Sequence, residues 1–150
     1  MGLGLTILAF AAAYHLLLNG SWAKTLATVV LVLGGLGMAV VGSFPCDAGC
    51  VDVTRTSEVH STFSMPGATG LPAAAMFSSL AFRVDGRFSV AWQTVSFWLG
   101  LLTLASGPVI AAEVAGDAGG ALQRAAMWAP LLWTSAVSWK LRSPVMSTEG

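Results

Sequence analysis

The residues of this sequence that could do chemistry are few, and two of them are its only cysteines. Cys46 and Cys50 stand four positions apart, around an Ala48-Gly49 pair that can bend the chain and bring the sulfur atoms together. We therefore predict a disulfide within this loop, in an oxidising compartment. The alternative is a redox or metal-binding pair, but a zinc site needs about four ligands and nearby candidates are few. We expect a structural disulfide and no bound metal.

Four ionisable side chains around the same loop form a candidate polar cluster: Asp47, Glu58, His60 and Arg124. Ionisable groups at membrane depth are costly and usually mark functional sites, and the charge of His60 could change near neutral pH. The alternative is that the four side chains lie at the membrane interface, where they are solvated and merely close the loop. We favour this second interpretation because charges at the rim cost far less than charges at the bilayer centre.

Cofactor and nucleic-acid binding are not expected. His15, the other histidine, is predicted near the cytoplasmic end of the first helix, whereas His60 is predicted near the outer end of the third. The two are then about 25–30 Å apart and cannot share a haem. The sequence has no Gly-rich phosphate loop, no His-Glu-x-x-His pair and no Gly-x-Ser-x-Gly turn. Seven basic and seven acidic residues balance to zero without a basic run, which argues against nucleic acid as a partner.

The elements that must position these residues are transmembrane helices. Only 9% of the residues are charged, whereas 55% are apolar, and a soluble domain usually carries about 25% charged residues. Five segments qualify as membrane spans, each of which needs about 20 predominantly apolar residues: residues 2–18, 22–44, 60–82, 88–112 and 121–141. We therefore predict an all-α fold, a polytopic transmembrane bundle of about five helices in one domain, followed by a polar tail at 143–150.

The basic residues predict how the bundle is oriented. Threading five helices places five of them on one side and only Arg55 and Arg124 on the other; the five are Lys24, Arg83, Arg87, Lys140 and Arg142. By the positive-inside rule the C-terminus is cytoplasmic, and an odd number of helices places the N-terminus outside. Small residues of the second and third segments offer faces for close helix approach; they are Gly34, Gly35, Gly37, Gly70, Ala74 and Ser78.

The stretch Gly42-Ser43-Phe44-Pro45-Cys46-Asp47 resembles the G-x-F-P-x-D signature of a prokaryotic membrane protein family, domain of unknown function 998. His60 is similar to the family's second marker, and the stretch from Gly120 to Arg124 to its third, in the same order and spacing. The resemblance extends from about Leu3 to Arg142. It implies a multi-pass protein of the prokaryotic cell membrane with about six helices and no established activity, and a first helix that this chain apparently lacks.

Two hypotheses for function follow. The leading one is a non-enzymatic structural, binding or sensing protein whose partners are the lipid bilayer and either a second copy or another membrane protein. The alternative is an intramembrane enzyme, or a protein that handles lipids or small molecules, with a pocket opening outward beneath the loop of Cys46. A concave pocket into which His60 and Arg124 point would favour the second hypothesis.

Overall fold

The computed structural model describes residues 2–48, 52–111 and 118–143 and contains five α-helices. They are α1 (Gly2–Leu17), α2 (Trp22–Val41), α3 (Arg55–Ala81), α4 (Val90–Ala111) and α5 (Gly119–Leu141), with a short 3-10 turn at Phe82–Val84 after α3. No strand occurs among the described residues. The prediction of an all-α chain with five helices is therefore confirmed. The predicted tail lies outside the described residues from position 144 onwards.

Helix α3 begins at Arg55, five residues before the apolar segment that we predicted from position 60. The cause is a capped polar first turn: the Thr54 hydroxyl accepts a hydrogen bond from the backbone N–H of Ser57 at 3.3 Å. Glu58 and His60 consequently lie within the helix. Helix α2 begins in the same way, with the Ser21 hydroxyl accepting from the N–H of Lys24 at 3.1 Å.

Consecutive helices run in opposite directions, which gives the bundle two distinct ends. The end of α1, the turn after α3 and the end of α5 meet around Asp85, and we call this the Asp85 end. The loop from α2 to α3 lies at the opposite end, which we call the Asp47 end. Helix α3 is central, since it contacts α2, α4 and α5, while α1 packs on α2 and α5.

Small residues allow α2 and α3 to approach at backbone distance, as we expected of these faces. A Cβ atom added to Gly70 would lie 2.5 Å from the Cα atom of Gly34, and one added to Gly37 would lie 2.6 Å from the backbone nitrogen of Gly67. Both glycines of α2 are buried. This small-residue face is therefore occupied by contacts within the chain.

The core near the Asp85 end is aromatic and closely packed. The Tyr14 hydroxyl lies 2.7 Å from that of Ser78, and the Trp133 indole N–H donates to the Ser96 hydroxyl at 2.8 Å. Phe82 stacks on Phe88 with ring centroids 3.8 Å apart. Because each buried polar atom has a partner, the apolar rings can pack around these side chains without a desolvation penalty.

Two of the five helices are long and apolar enough to cross a membrane by length and composition. They are Trp22–Val41, with a mean hydropathy of 2.0, and residues 90–110 of α4, with 1.3. Helix α1 is apolar but has only 16 residues. Helices α3 and α5 are more polar. Part of the polarity of α3 comes from three buried serines, Ser57, Ser78 and Ser79.

Candidate functional site

Asp47 of the predicted polar cluster organises the loop at its end of the bundle. Its carboxylate accepts hydrogen bonds from the backbone N–H groups of Val53 at 3.2 Å and Thr54 at 2.8 Å, and from the Thr54 hydroxyl at 3.0 Å. These bonds, led by that from the Thr54 backbone, outweigh partial burial and hold the pKa of Asp47 below its usual range. A carboxylate bound in this way closes the loop in front of α3.

The other three members of the predicted cluster lie apart from Asp47. His60 is half-buried, and its Nδ1 lies 2.6 Å from the carbonyl oxygen of Phe44. Glu58 is exposed and lines a separate small groove with Arg55. Arg124 is exposed at the beginning of α5. Within the described residues, no hydrogen bond or ion pair joins any two of the four side chains.

The same loop is where the sequence predicts a disulfide. Cys46 is half-buried, and no described cysteine is a free thiol. Cys50 lies outside the described residues, so the bond between Cys46 and Cys50 stays a prediction. In the described part of the chain, no group of three or more His, Cys, Asp or Glu side chains is arranged to hold a metal ion.

A cavity of about 430 Å³ extends from the Asp47 end towards the middle of the bundle. All five helices contribute to its walls, which are mainly apolar and include Ile7, Met38, Leu71, Ile110 and Met127. The volume falls in the range of roughly 300–1,000 Å³ that is typical of ligand pockets. His60 is the one member of the predicted cluster that lines it. Sequence reasoning predicted a pocket beneath this loop only as an alternative.

Polar groups are sparse in the cavity, and most of them are oriented as acceptors. The hydroxyls of Ser64, Thr69 and Ser106 donate to carbonyl oxygens of their own helices at 2.8, 2.8 and 2.7 Å, so their free lone pairs are what they offer to the cavity. The Nδ1 atom of His60 must carry a hydrogen because a carbonyl can only accept; in the neutral ring, Nε2 is then an acceptor. Thr103 and Gln123 complete the polar lining.

A second polar site lies at the Asp85 end, outside the polar cluster that we predicted. Asp85 and Arg87 form an ion pair at 2.7 Å, and their side chains are 0% and 6% exposed. The carboxylate also accepts from Arg87 Nε at 2.8 Å and from the backbone N–H of Asn19 at 3.2 Å. Burial alone would raise the pKa of Asp85, but the bonds from Arg87 and Asn19 outweigh it and keep the pKa below its usual range.

Arg87 also joins the ends of the first and last helices. Its guanidinium donates to the carbonyl oxygen of Leu17 in α1 and, at 3.1 Å, to that of Leu141 in α5. Lys24 donates to two further carbonyls at the end of α1, those of His15 at 3.1 Å and Leu18 at 3.2 Å. Cations at helix C-termini satisfy carbonyls that lack a partner within the helix and oppose the helix dipole. All three guanidinium nitrogens of Arg87 and both carboxylate oxygens of Asp85 bond within the chain, which indicates a structural role.

The comparisons with known proteins agree with the resemblance carried by the residues around Phe44, His60 and Arg124. No curated protein and no solved structure matches the sequence. One family model does match, and it covers residues 1–140. This range includes all five helices except Leu141, the last residue of α5. The chain therefore belongs to the family described as protein of unknown function DUF998.

Proposed function

We propose that this chain is a multi-pass protein of the prokaryotic cell membrane, with five spans, a cytoplasmic C-terminus and an extracytoplasmic N-terminus. Large hydrophobic side chains are exposed on all five helices, for example Leu16, Leu33, Met65, Leu102 and Leu132. Hydrocarbon is the solvent in which such a surface is stable. Basic residues at the Asp85 end support a cytoplasmic location for that end, and Trp22 and Trp139, 69% and 73% exposed, suit an interfacial belt there.

Within the membrane, we propose that the protein binds an apolar molecule and is not an enzyme. The observation that carries this proposal is the cavity of about 430 Å³ in the half of the bundle at the Asp47 end. Among the described residues that line it, His60 is the one titratable side chain, and its Nδ1 is engaged by Phe44. A pocket lined by both His60 and Arg124 would favour the enzymatic alternative, but Arg124 does not line this cavity. Binding is what such a lining supports.

A photoreactive hydrocarbon tests this function on the full chain in lipid nanodiscs. We expect a long-chain alkane carrying a diazirine to label the segments 103–110 and 123–131 more strongly than the exposed lipid-facing side of α2. Gly107 lines the cavity, and a Cβ added there meets nothing within 4 Å, so Gly107→Leu should enter the space and reduce this labelling severalfold. Gly120→Leu is the matched control, since that glycine is equally open but lies outside the cavity.

Two results would contradict the proposal. Equal labelling of the cavity and of the lipid-facing side of α2, unchanged by Gly107→Leu, would show that the probe only samples the bilayer. Recovery of the full chain as a monodisperse protein without detergent would contradict the membrane location itself. The orientation is tested separately by a reporter fused after Ser143, which should be active only in the cytoplasm.

A further inference from the structure

Three helices that form the cavity contain a proline, and each proline leaves one carbonyl oxygen without its helical partner. Proline has no backbone N–H, so the carbonyl four residues earlier receives no i→i−4 hydrogen bond. Pro72 in α3, Pro108 in α4 and Pro130 in α5 are such residues. The carbonyls concerned belong to Ala68, Leu104 and Ala126, and all three of these residues line the cavity.

These three carbonyl oxygens belong to cavity-lining residues and lack their helical donors, and the polar side chains of the lining also offer mainly acceptors. The hydroxyl hydrogens of Ser64, Thr69 and Ser106 are directed to their own helices, and His60 offers Nε2 when its ring is neutral. An acceptor removed from water without a donor costs free energy, so a ligand that supplies hydrogen-bond donors gains affinity here. An apolar chain alone would leave these oxygens unsatisfied.

The charge of the lining restricts the ligand further. None of the described residues around the cavity is Asp, Glu, Lys or Arg. With the His60 ring neutral, a carboxylate or phosphate head group would therefore meet acceptors without a cation, and an ammonium group would meet no carboxylate. Burying an unpaired charge is much more costly than burying a hydrogen-bonded hydroxyl. The lining thus favours a neutral donor.

From these observations we infer that the cavity binds a single-chain amphiphile with an uncharged, hydroxyl-bearing head group, chemically of the monoacylglycerol type. The inference rests on the proposed function, because it concerns the head group of the molecule that the apolar cavity takes up. The acyl chain lies along the apolar walls, and the hydroxyls donate to the carbonyl oxygens and to the polar lining. Thr103 and Gln123 can in turn donate to the ester oxygens.

A series of ligands with the same 18-carbon unsaturated chain separates the contribution of the head group to binding from that of the chain. The full protein in nanodiscs is labelled with the photoreactive alkane, and protection of segments 103–110 and 123–131 is titrated with monooleoylglycerol, oleyl alcohol, methyl oleate, oleate and oleylamine. We expect monooleoylglycerol to protect best and oleyl alcohol next. Methyl oleate, which has no donor, should be weaker than oleyl alcohol by roughly three- to tenfold, the value of about one hydrogen bond.

A proline substitution tests the carbonyls directly. Pro108→Ala supplies a backbone N–H that can donate to the carbonyl oxygen of Leu104 and, because Pro108 is exposed, disturbs little packing. It should weaken protection by monooleoylglycerol roughly three- to tenfold and leave methyl oleate unchanged, which also shows that the variant is folded. Pro66→Ala is the matched control: it makes the same chemical change in α3, but the carbonyl it satisfies belongs to Thr62, outside the cavity.

Each remaining outcome overturns either this inference or the function beneath it. Protection by methyl oleate equal to that by monooleoylglycerol would show that donors do not matter. Oleate or oleylamine as the best ligand would show that the site takes a charged head group. Equal effects of Pro108→Ala and Pro66→Ala would exclude the Leu104 carbonyl. If no compound protects and the alkane does not prefer the cavity, the proposed function itself fails.

Discussion

Replacing Arg87 with methionine should destabilise the protein more than any other single change at the Asp85 end. The substitution keeps an unbranched chain but removes the guanidinium that bonds to Asp85 Oδ1 at 2.8 Å and Oδ2 at 2.7 Å. The carboxylate, 0% exposed, then retains only the backbone N–H groups of Asn19 and of residue 87 itself. The carbonyls of Leu17 and Leu141 lose their donors in the same step.

The expected magnitude follows from these contacts. Removing one partner of a buried ion pair costs about 3–5 kcal/mol, because the other charge is left without compensation. In a chain of 150 residues, each kcal/mol lowers the melting temperature by roughly 2–4 °C. Arg87→Met should therefore melt about 6–20 °C below the wild type, measured by tryptophan fluorescence in detergent micelles. The matched control is Arg83→Met, an exposed arginine two positions before Asp85, for which we expect a change within about 0.5 kcal/mol.

Two results would refute this reasoning. A melting temperature of Arg87→Met within about 2 °C of the wild type would show that the pair contributes little to stability. The double variant Asp85→Leu/Arg87→Met removes both charges and should recover part of the loss, since the residual penalty of a lone buried carboxylate is gone. If the double variant is no more stable than Arg87→Met, the uncompensated charge is not the cause.

Three further predictions concern other parts of the chain. Gly70→Ala should lower stability by about 1–3 kcal/mol, because its Cβ would lie 2.5 Å from the Cα of Gly34, while Gly120→Ala, in open space, should cause no loss in the same melting assay. Because the pKa of Asp85 is lower in the folded than in the unfolded chain, its carboxylate stabilises the fold fully above the unfolded pKa of about 3.9. This stabilisation is lost as the pH falls through the lower folded pKa, so the melting temperature should drop in that acidic range. The drop should be smaller in Asp85→Asn. Maleimide labelling of Cys46 and Cys50 should be weak before reduction and strong after it; strong labelling beforehand would contradict the disulfide.

The helices could be predicted from the sequence because their middles are apolar, and the error arose where a helix begins with polar residues. Residues 55–59 belong to α3 through the Thr54 cap, which a hydropathy pattern does not register. We expected five helices to be long and apolar enough to cross a membrane, and only two of the described helices are. Helix α1 has only 16 residues, and buried serines make α3 more polar than its length suggests.

The sites were predicted less well, for a physical reason. Arg87 served only as a marker of orientation and Asp85 was not singled out, because the contacts that bury Arg87 come from residues 54 to 70 positions away along the chain. The spacing Asp85-x-Arg87, which allows a side chain to fold back onto its neighbour, was the available signal. The cavity arises from missing side-chain volume between helices, at positions such as Gly107 and Ala126, and no motif records empty space.

The bonds of Arg87 to both terminal helices have a consequence for how the protein is made. A ribosome delivers α1 first and α5 last, so the guanidinium and the carbonyl of Leu141 can meet only after the final helix has been synthesised. Until then Arg87 can bond to the carbonyl of Leu17 in α1 but not to that of Leu141 in α5. Completion of the Asp85 end is therefore a late event in the synthesis of the protein, and a chain that stops short of α5 leaves Arg87 without the Leu141 carbonyl.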